Sequence, residues 1–408
     1  MKTPRPFRCW TEIDLVALGN NIQGIRQTLP PKVRYIAVVK ADAYGHGLLP
    51  TVEGLINCGI DMLAVANTAE AIEIRNSGCQ LPLLLLASVL EEEEPYLTQY
   101  ALTPTLSTEA ELERCEALVC KEGRPLSVHL KIDTGMGRLG VWHTEAAALY
   151  QRVQRSPYVR LEGIYTHFSS MAIDGTYTQI QLDRFHSALA TLPGADASGL
   201  LIHTNSIDVE TFDVTRGFNA VRVGLLQFGV PPYPGSLSGK KAEPVLSFHS
   251  RIGLVKTLPA KTSISYNHTH TLKRPSRIAV LTAGYSDGIP THLSNKGYVL
   301  IQGHRCPIIG RVTMDQTLVD VTGLRNVKAG ETATFIGTQG ETKITAAEFS
   351  AWADEIPWEV LCVISRKVPR LYNKPLQEEK TFNDADPLLT PRTRIPREDV
   401  VDSPSAAV

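Results

Sequence analysis

Short apolar segments alternate with stretches of helical periodicity between residues 33 and 228. A strand buried on both faces has a continuous apolar run, whereas a helix packed on a sheet has an apolar stripe. Eight such runs alternating with helices predict a (β/α)8 TIM-type barrel. An open doubly wound sheet would fit the same alternation, but the first run lacks a G-x-G-x-x-G turn. The runs are 33–40, 61–67, 81–88, 101–107, 126–133, 161–168, 200–206 and 220–228, with helix-like stretches that include 68–76, 108–121 and 176–192.

The stretch 10–29 precedes the first run and has a loose apolar stripe with helical spacing. Ile13, Ile22 and Ile25 lie on this stripe, and Thr11 is a possible N-cap. The pattern predicts one amphipathic helix over the whole stretch.

The segment Pro231-Pro-Tyr-Pro-Gly235 interrupts the alternation and predicts a domain boundary. We predict a barrel over residues 1–236, of which the first ten or so could instead pack with the following domain. Residues 237–373 have short alternating strands and predict a mostly β C-terminal domain. Residues 374–408 are rich in Pro, acidic residues and Ser, which predicts a disordered tail. The strands expected in the β domain are 245–256, 277–282, 297–302, 317–321 and 332–336.

The charge balance of the 408 residues excludes several classes of partner. A formal net charge of -1 provides no field that would attract nucleic acid or an acidic membrane. No apolar run approaches the ~20 residues that span a bilayer, and the N-terminus lacks the apolar core of a signal peptide. Seven scattered cysteines without a C-x-x-C pair indicate buried thiols rather than disulfides or a metal site. We therefore expect a cytoplasmic protein that binds a small molecule and no metal.

Reactive side chains lie where the predicted strands end. Lys40 ends the first strand, Asp133 the fifth, His167 the sixth and Ser206 the seventh. Active sites of (β/α)8 barrels form at this edge of the barrel. Apolar neighbours disfavour a charged lysine, so Lys40 could attack a carbonyl and form a Schiff base. The alternative is a lysine that only extends from a strand end into solvent.

The residues around Lys40 identify a family. Ala37-Val-Val-Lys-Ala-Asp-Ala-Tyr-Gly-His-Gly47 and Lys131-Ile-Asp-Thr-Gly-Met-Gly-Arg-Leu-Gly140 closely resemble two motifs of the alanine racemases, pyridoxal 5'-phosphate enzymes built on a barrel. The resemblance extends over roughly residues 8–372. It implies that Lys40 holds the cofactor and that Tyr44 hydrogen-bonds its phosphate.

The same resemblance implies roles for the second motif and the sixth strand. Arg138 would position the substrate carboxylate, which suits a planar guanidinium with two parallel donors. Lys131 could be carbamylated and hold Arg138 in place. His167, in a T-H-F segment, would face the cofactor and support a base. Without the resemblance, Arg138 could equally be a surface arginine, and His167 would more often be a satisfied core residue.

The last two strands resemble the family's phosphate-binding segments. His203-Thr-Asn-Ser206 and Val221-Arg-Val-Gly-Leu-Leu-Gln-Phe-Gly229 would place Ser206 and the amides of Gly224 and Leu225 around the phosphate. Arg222 would contact the pyridine nitrogen. A permanently charged arginine discourages protonation there, which favours simple proton exchange at the α-carbon.

Three segments of the β domain also resemble the family. Ile264-Ser-Tyr-Asn-His268 would supply the second catalytic base, Tyr266. Ala283-Gly-Tyr-Ser-Asp-Gly288 would place Tyr285 at the pocket entrance, and Arg311-Val-Thr-Met-Asp-Gln316 would close the substrate pocket with Met314 and Asp315. Each tyrosine taken alone would more often be a half-buried strand residue.

The resemblance implies a racemase that interconverts L- and D-alanine and supplies D-alanine for cell-wall peptidoglycan. Lys40 and Tyr266 would serve opposite faces of the α-carbon, with Tyr266 reaching the barrel of a second subunit in a homodimer. Asn267 and Arg366 depart from the family pattern and leave the substrate preference open. The alternatives are a serine or broad-specificity racemase and a non-catalytic pyridoxal-phosphate carrier. A β domain used only for dimerisation is a further alternative.

Overall fold

The structure is a computed structural model that describes residues 7–169, 174–195, 199–205, 217–231 and 242–373. Ser206, part of the proposed domain boundary and the tail 374–408 lie outside the described residues. The described part of the chain contains helices at Leu15–Thr28, Leu48–Asn57, Thr68–Asn76, Pro95–Gln99, Glu109–Glu122, Ala146–Arg155, Gly175–Ala190, Ala346–Trp352 and Pro357–Cys362. No helix among these residues is long and apolar enough to cross a bilayer.

The predicted barrel is present, and each of the eight apolar runs overlaps one of its strands. The described residues up to the end of the barrel form the strands β1 (Cys9–Asp14), β2 (Arg34–Val38), β3 (Met62–Val65), β4 (Leu83–Leu85), β5 (Thr105–Leu106), β6 (Leu126–Asp133), β7 (Val141–Trp142), β8 (Val159–Tyr165), β9 (Leu201–Thr204) and β10 (Ala220–Val223). The barrel strands are parallel to their neighbours and follow the order β4-β3-β2-β10-β9-β8-β6-β5, with β1 and β7 outside the ring. A bridge between Leu84 and Thr103 joins the two ends of this order.

The C-terminal region is mostly β, as predicted. The described strands of this region are β11 (Leu246–Leu258), β12 (Ser263–Ile264), β13 (His270–Thr271), β14 (Ser276–Leu281), β15 (Tyr298–Ile301), β16 (His304–Pro307), β17 (Thr317–Asp320), β18 (Thr332–Gln339), β19 (Thr342–Ile344) and β20 (Arg370–Asn373). The main sheet has the order β16-β15-β18-β11-β1-β20, so the N-terminal strand β1 lies between β11 and β20 of the C-terminal region.

The prediction of one helix over 10–29 was wrong in its first part. Strand β1 occupies Cys9–Asp14, and the helix begins at Leu15. Asp14, not Thr11, is the N-cap, since its carboxylate accepts hydrogen bonds from the amides of Val16 (3.0 Å) and Ala17 (2.9 Å). Tertiary pairing with β11 and β20 holds these residues in an extended conformation. The first residues do pack with the β region.

The cysteines follow the prediction only in part. None of the seven cysteines, all of which lie among the described residues, forms a disulfide, and Cys9, Cys79, Cys115 and Cys306 are buried. Cys120 and Cys362 are exposed, contrary to the expectation of buried thiols.

Candidate active site

Lys40 lies at the start of a left-handed turn that follows β2. Ala41, Asp42, Ala43 and Tyr44 all have φ between 53° and 56°. A left-handed conformation costs a non-glycine residue ~1–2 kcal/mol. The surrounding structure must therefore hold this turn in place.

Residues from the end of the chain provide that support. Arg370 donates to the carbonyl of Gly45 (3.1 Å), and Tyr372 donates to the carbonyl of His46 (3.0 Å). A Cβ at position 45 would collide with the carbonyl oxygen of Leu361, and φ there is +81°, so this position requires glycine. Sequence reasoning gave no role to Arg370 or Tyr372, because nothing local connects them to a turn more than 320 residues away.

Burial and positive neighbours change the acid–base behaviour of Lys40. Its side chain is partly buried, and burial lowers its pKa below the usual 10.5. The Arg138 guanidinium lowers the pKa further, whereas Cys362 and Glu70 oppose the shift. More of the amine is consequently neutral, and thus nucleophilic, near pH 7 than in a surface lysine.

Lys131 is a second lysine of this kind, two residues before the end of β6. It is 3% exposed, and burial together with Arg222 and Arg138 lowers its pKa to about 8. The carboxylate of Asp133 opposes the shift. A cluster of cationic side chains with so little negative charge is suited to an anionic ligand.

A tight turn brings Arg138 to this cluster. One carboxylate oxygen of Asp133 accepts hydrogen bonds from the amides of Gly135 (2.9 Å), Met136 (2.9 Å) and Gly137 (3.2 Å). The Arg138 side chain is exposed, and its charge lowers the pKa values of Lys40 and Lys131. The turn therefore keeps the Arg138 charge close to both lysines.

Arg222 projects from β10 into the barrel and is 4% exposed. It donates to His203 Nδ1 (2.8 Å), to the carbonyl of Thr166 (2.7 Å) and, at 3.4 Å, to His167 Nδ1. Its guanidinium carbon lies 4.5 Å from the centre of the Tyr165 ring. Burial lowers its pKa to about 10, which leaves it charged at neutral pH.

His167 is neutral in this environment. Burial and the positive charges of Arg222, Lys131, Arg138 and Lys40 hold its pKa well below the usual range. An uncharged imidazole beside Arg222 can accept a hydrogen bond, as the contact with Arg222 requires.

Tyr44 and Gly224 meet at the end of β10. Tyr44 is buried, and burial raises the pKa of its phenol, which keeps the hydroxyl protonated and able to donate. A Cβ at position 224 would lie 2.9 Å from the Tyr44 hydroxyl oxygen. Gly224 precedes the 3₁₀ turn Leu225–Phe228, whose first amides have no acceptor within the turn.

The predicted site residues of the β region form a second, separate group. The amides of Tyr285 and Ser286 donate to the carbonyls of Thr313 and Met314, both at 3.0 Å, and Ser286 Oγ lies 3.3 Å from Asp315. Tyr266 is 68% exposed, Tyr285 45% and Met314 53%. Among the described residues, no hydrogen bond or ion pair joins this group to the cluster around Lys40.

Together, the parallel barrel, its partly buried lysine of lowered pKa and the appended β region define a class of two-part barrel proteins whose lysine is suited to react with a carbonyl. Comparisons with known proteins give the family. Residues 13–232 match the family "Alanine racemase, N-terminal domain" and residues 245–372 match "Alanine racemase, C-terminal domain". The chain is 38% identical over 368 residues to the alanine racemase of Halothermothrix orenii and 39% identical to that of Symbiobacterium thermophilum, covering 89% of this chain and 96% of each relative.

Solved structures agree with the sequence relatives. An alanine racemase from E. faecalis superposes with a TM-score of 0.83 at 33% identity and covers 91% of this chain and 100% of its own. One from Bartonella henselae "with covalently bound pyridoxal phosphate" superposes with a TM-score of 0.81 at 26% identity, over 90% and 100% of the two chains. The chain belongs to the alanine racemase family.

Proposed function

We propose that this protein is a pyridoxal-phosphate-dependent isomerase that interconverts L- and D-alanine. The observation that carries the proposal is the amine of Lys40, which follows the first barrel strand and has a pKa lowered by burial and by Arg138. The relatives are named alanine racemases, and one related structure holds the cofactor covalently. By family resemblance, the product D-alanine would be made in the cytoplasm for peptidoglycan.

The residues present fit this cofactor. Lys131, Arg222 and Arg138 surround the site with positive charge, which suits a phosphate and a substrate carboxylate. The close approach of Tyr44 to Gly224 leaves no room for a side chain at the predicted phosphate site. Lys40 would hold the cofactor, and the phosphate would lie against Tyr44, Ser206 and the amides of Gly224 and Leu225.

When bound, the cofactor would withdraw electrons from the α-carbon and make its proton more acidic. Arg222, held by His203 and Thr166, would donate to the ring nitrogen. Since this arginine remains charged, it disfavours a proton on that nitrogen. A ring that withdraws electrons only moderately favours exchange of the proton on the α-carbon over cleavage of the other bonds of that carbon.

Inversion of the α-carbon requires a base on each face. Lys40 would move a proton on one face and Tyr266 on the other, while Arg138 orients the carboxylate and His167 and Lys131 support the site. Tyr266 is 68% exposed in one chain. We infer that it completes the site of a second subunit, together with Tyr285, Met314 and Asp315 at the pocket entrance.

A chiral assay tests the activity. Purified protein with pyridoxal phosphate should convert L-alanine to a near-equal mixture of enantiomers, and D-alanine to the same mixture. The Lys40→Ala variant should convert neither. Parallel reactions with L-serine and with larger L-amino acids measure which amino acid the enzyme prefers as its substrate. Retention of the pure enantiomer by protein that carries the cofactor would refute the proposal and favour a non-catalytic carrier.

A further inference from the structure

Deep in the barrel, the histidine His203, which accepts a hydrogen bond from Arg222, lies next to another buried histidine, His129. His129 on β6 and His203 on β9 are both 0% exposed. His129 Nδ1 lies 2.8 Å from His203 Nε2, and His203 Nδ1 lies 2.8 Å from a terminal nitrogen of Arg222. The two imidazoles and the guanidinium thus form one hydrogen-bonded chain.

The chemistry of the three groups sets the direction of every hydrogen bond in that chain. A guanidinium can only donate, so His203 Nδ1 must carry a lone pair. Both histidines are neutral, because burial and the Arg222 charge lower the pKa of His129 to about 3 and that of His203 well below its usual range. The one proton of His203 is therefore on Nε2 and is donated to His129 Nδ1.

The barrel wall is built to accommodate His129. Gly163 on β8 is the register partner of His129. A Cβ at position 163 would lie 2.7 Å from His129 Cε1 and 2.8 Å from Nδ1, so any side chain there would displace the imidazole. His129 Nε2 has no hydrogen-bond partner within the described part of the protein. The His129 ring is thus held in place by packing and by its hydrogen bond with His203.

We propose that His129 is a positioning residue of the cofactor site, which fixes the tautomer of His203 and thereby the orientation of Arg222. This inference rests on the proposed function, in which Arg222 contacts the ring nitrogen of the cofactor. Without an acceptor at His129, a proton on His203 Nε2 is buried unpaired, which costs ~1–3 kcal/mol. The unpaired proton leaves the His203 ring free to turn or to take the other tautomer, and either change removes the acceptor that Nδ1 provides for Arg222.

Two variants separate positioning from packing. In His129→Asn, the amide oxygen provides a hydrogen-bond acceptor near the position of the imidazole Nδ1. His129→Leu has a side chain of similar volume but no acceptor. The cofactor-free protein and both variants are titrated with pyridoxal phosphate and with the analogue that has a carbon in place of the ring nitrogen. Affinity is measured from the absorbance of the bound ligand, without turnover.

The Leu variant should lose about tenfold in affinity for pyridoxal phosphate and almost nothing for the analogue, and the Asn variant should recover most of the loss. An equal loss for both ligands, or no loss for either, would overturn the proposal. If the unaltered protein bound neither ligand at Lys40, the proposed function itself would fail, and this inference with it.

A measurement on the unaltered protein covers the case in which the Leu variant does not fold. Nitrogen NMR of protein with ¹⁵N-labelled histidine, assigned with a His203→Gln variant, should show His203 protonated at Nε2 and bare at Nδ1. The opposite tautomer would overturn the proposal.

Discussion

At the scale of single residues, the site is defined by lysines whose ammonium forms are disfavoured. Lys40 and Lys131 lie among Arg138 and Arg222, and burial acts in the same direction as these charges. Replacing one of these positively charged residues by a neutral one should therefore raise the pKa of each lysine that is left unchanged. This expectation can be measured without substrate.

Replacing Arg138 by Gln should raise the pKa of Lys40, because Arg138 is the largest electrostatic contribution that lowers it. In cofactor-free protein, the rate at which an amine-reactive reagent labels Lys40 should follow the neutral fraction of the amine. We expect the midpoint of this rate to move about half a pH unit or more to higher pH. Arg138→Lys, which keeps the charge, should stay close to the unaltered protein. A midpoint that does not move in the Gln variant would contradict the assignment.

Replacing Lys131 by Met should change the pH dependence of stability. Folding lowers the pKa of Lys131 from 10.5 to about 8. Between these values the unfolded chain keeps a proton that the folded protein has released, so stability rises with pH, by up to about 3 kcal/mol. Below pH 8 Lys131 is protonated in both the folded and the unfolded chain, so the free-energy cost of burying its ammonium lowers the stability in full.

Urea unfolding of the cofactor-free proteins in bicarbonate-free buffer measures this effect. Lys131→Met should be more stable than the unaltered protein at pH 7.5, and the difference should narrow toward pH 10. A difference that stays constant with pH would mean that the Lys131 amine has an ordinary pKa.

Much at this scale was predictable from the sequence, because motifs carry side chains of distinctive chemistry. Lys40, Lys131 and Arg222 lie in segments with recognisable neighbours. His129 and Tyr165 do not stand out, since their contacts with His203 and Arg222 depend on how four strands close into a barrel. Their position two residues from Lys131 and His167, on the same face of each strand, is the signal that could have found them.

At the scale of elements, the turn after β2 shows how distant segments impose a local conformation. A run of left-handed residues is unfavourable by itself and cannot be derived from propensities. It depends on contacts with Leu361, Arg370 and Tyr372 at the far end of the chain. The same reasoning explains β1. Its residues have a helical pattern of apolar positions, but pairing with β11 and β20 holds them in an extended strand.

Gly45→Ala should strongly destabilise the protein, because the new Cβ meets the Leu361 carbonyl in a left-handed conformation. We expect a loss of about 3 kcal/mol or more, measured as a lower midpoint of thermal unfolding. Gly24→Ala is the matched control, since that helical position has open space around it. It should be neutral or stabilising by up to about 1 kcal/mol. Equal effects of the two changes would contradict the proposed role of the turn.

At the scale of the whole molecule, the barrel and a mostly β C-terminal region were predictable, whereas the strand order of the β sheet was not. Parallel strands buried on both faces have apolar runs that stand out from the helices between them. The order of the C-terminal sheet depends on pairings such as β1 with β20, which are separated by more than 350 residues. Local periodicity contains no information about such partners.

Deletion of residues 374–408 should leave the unfolding temperature and the racemase activity almost unchanged, because their composition predicts too little apolar surface to pack. A longer deletion from Arg370 should unfold the protein or greatly lower its melting temperature, since it removes β20 and the hydrogen bond to Gly45. Thermal unfolding of both truncated proteins distinguishes the two segments. A large loss in the shorter deletion would show that the tail contributes to the fold.

The central claim is that Lys40 and Tyr266 are two bases from two subunits of one site. Lys40→Ala and Tyr266→Phe chains should each be nearly inactive alone. Unfolding and refolding them together should restore activity to about one quarter of the unaltered level, because half of the dimers are mixed and each has one complete site. Mixed dimers that form, as shown by native mass spectrometry, but remain inactive would contradict the claim.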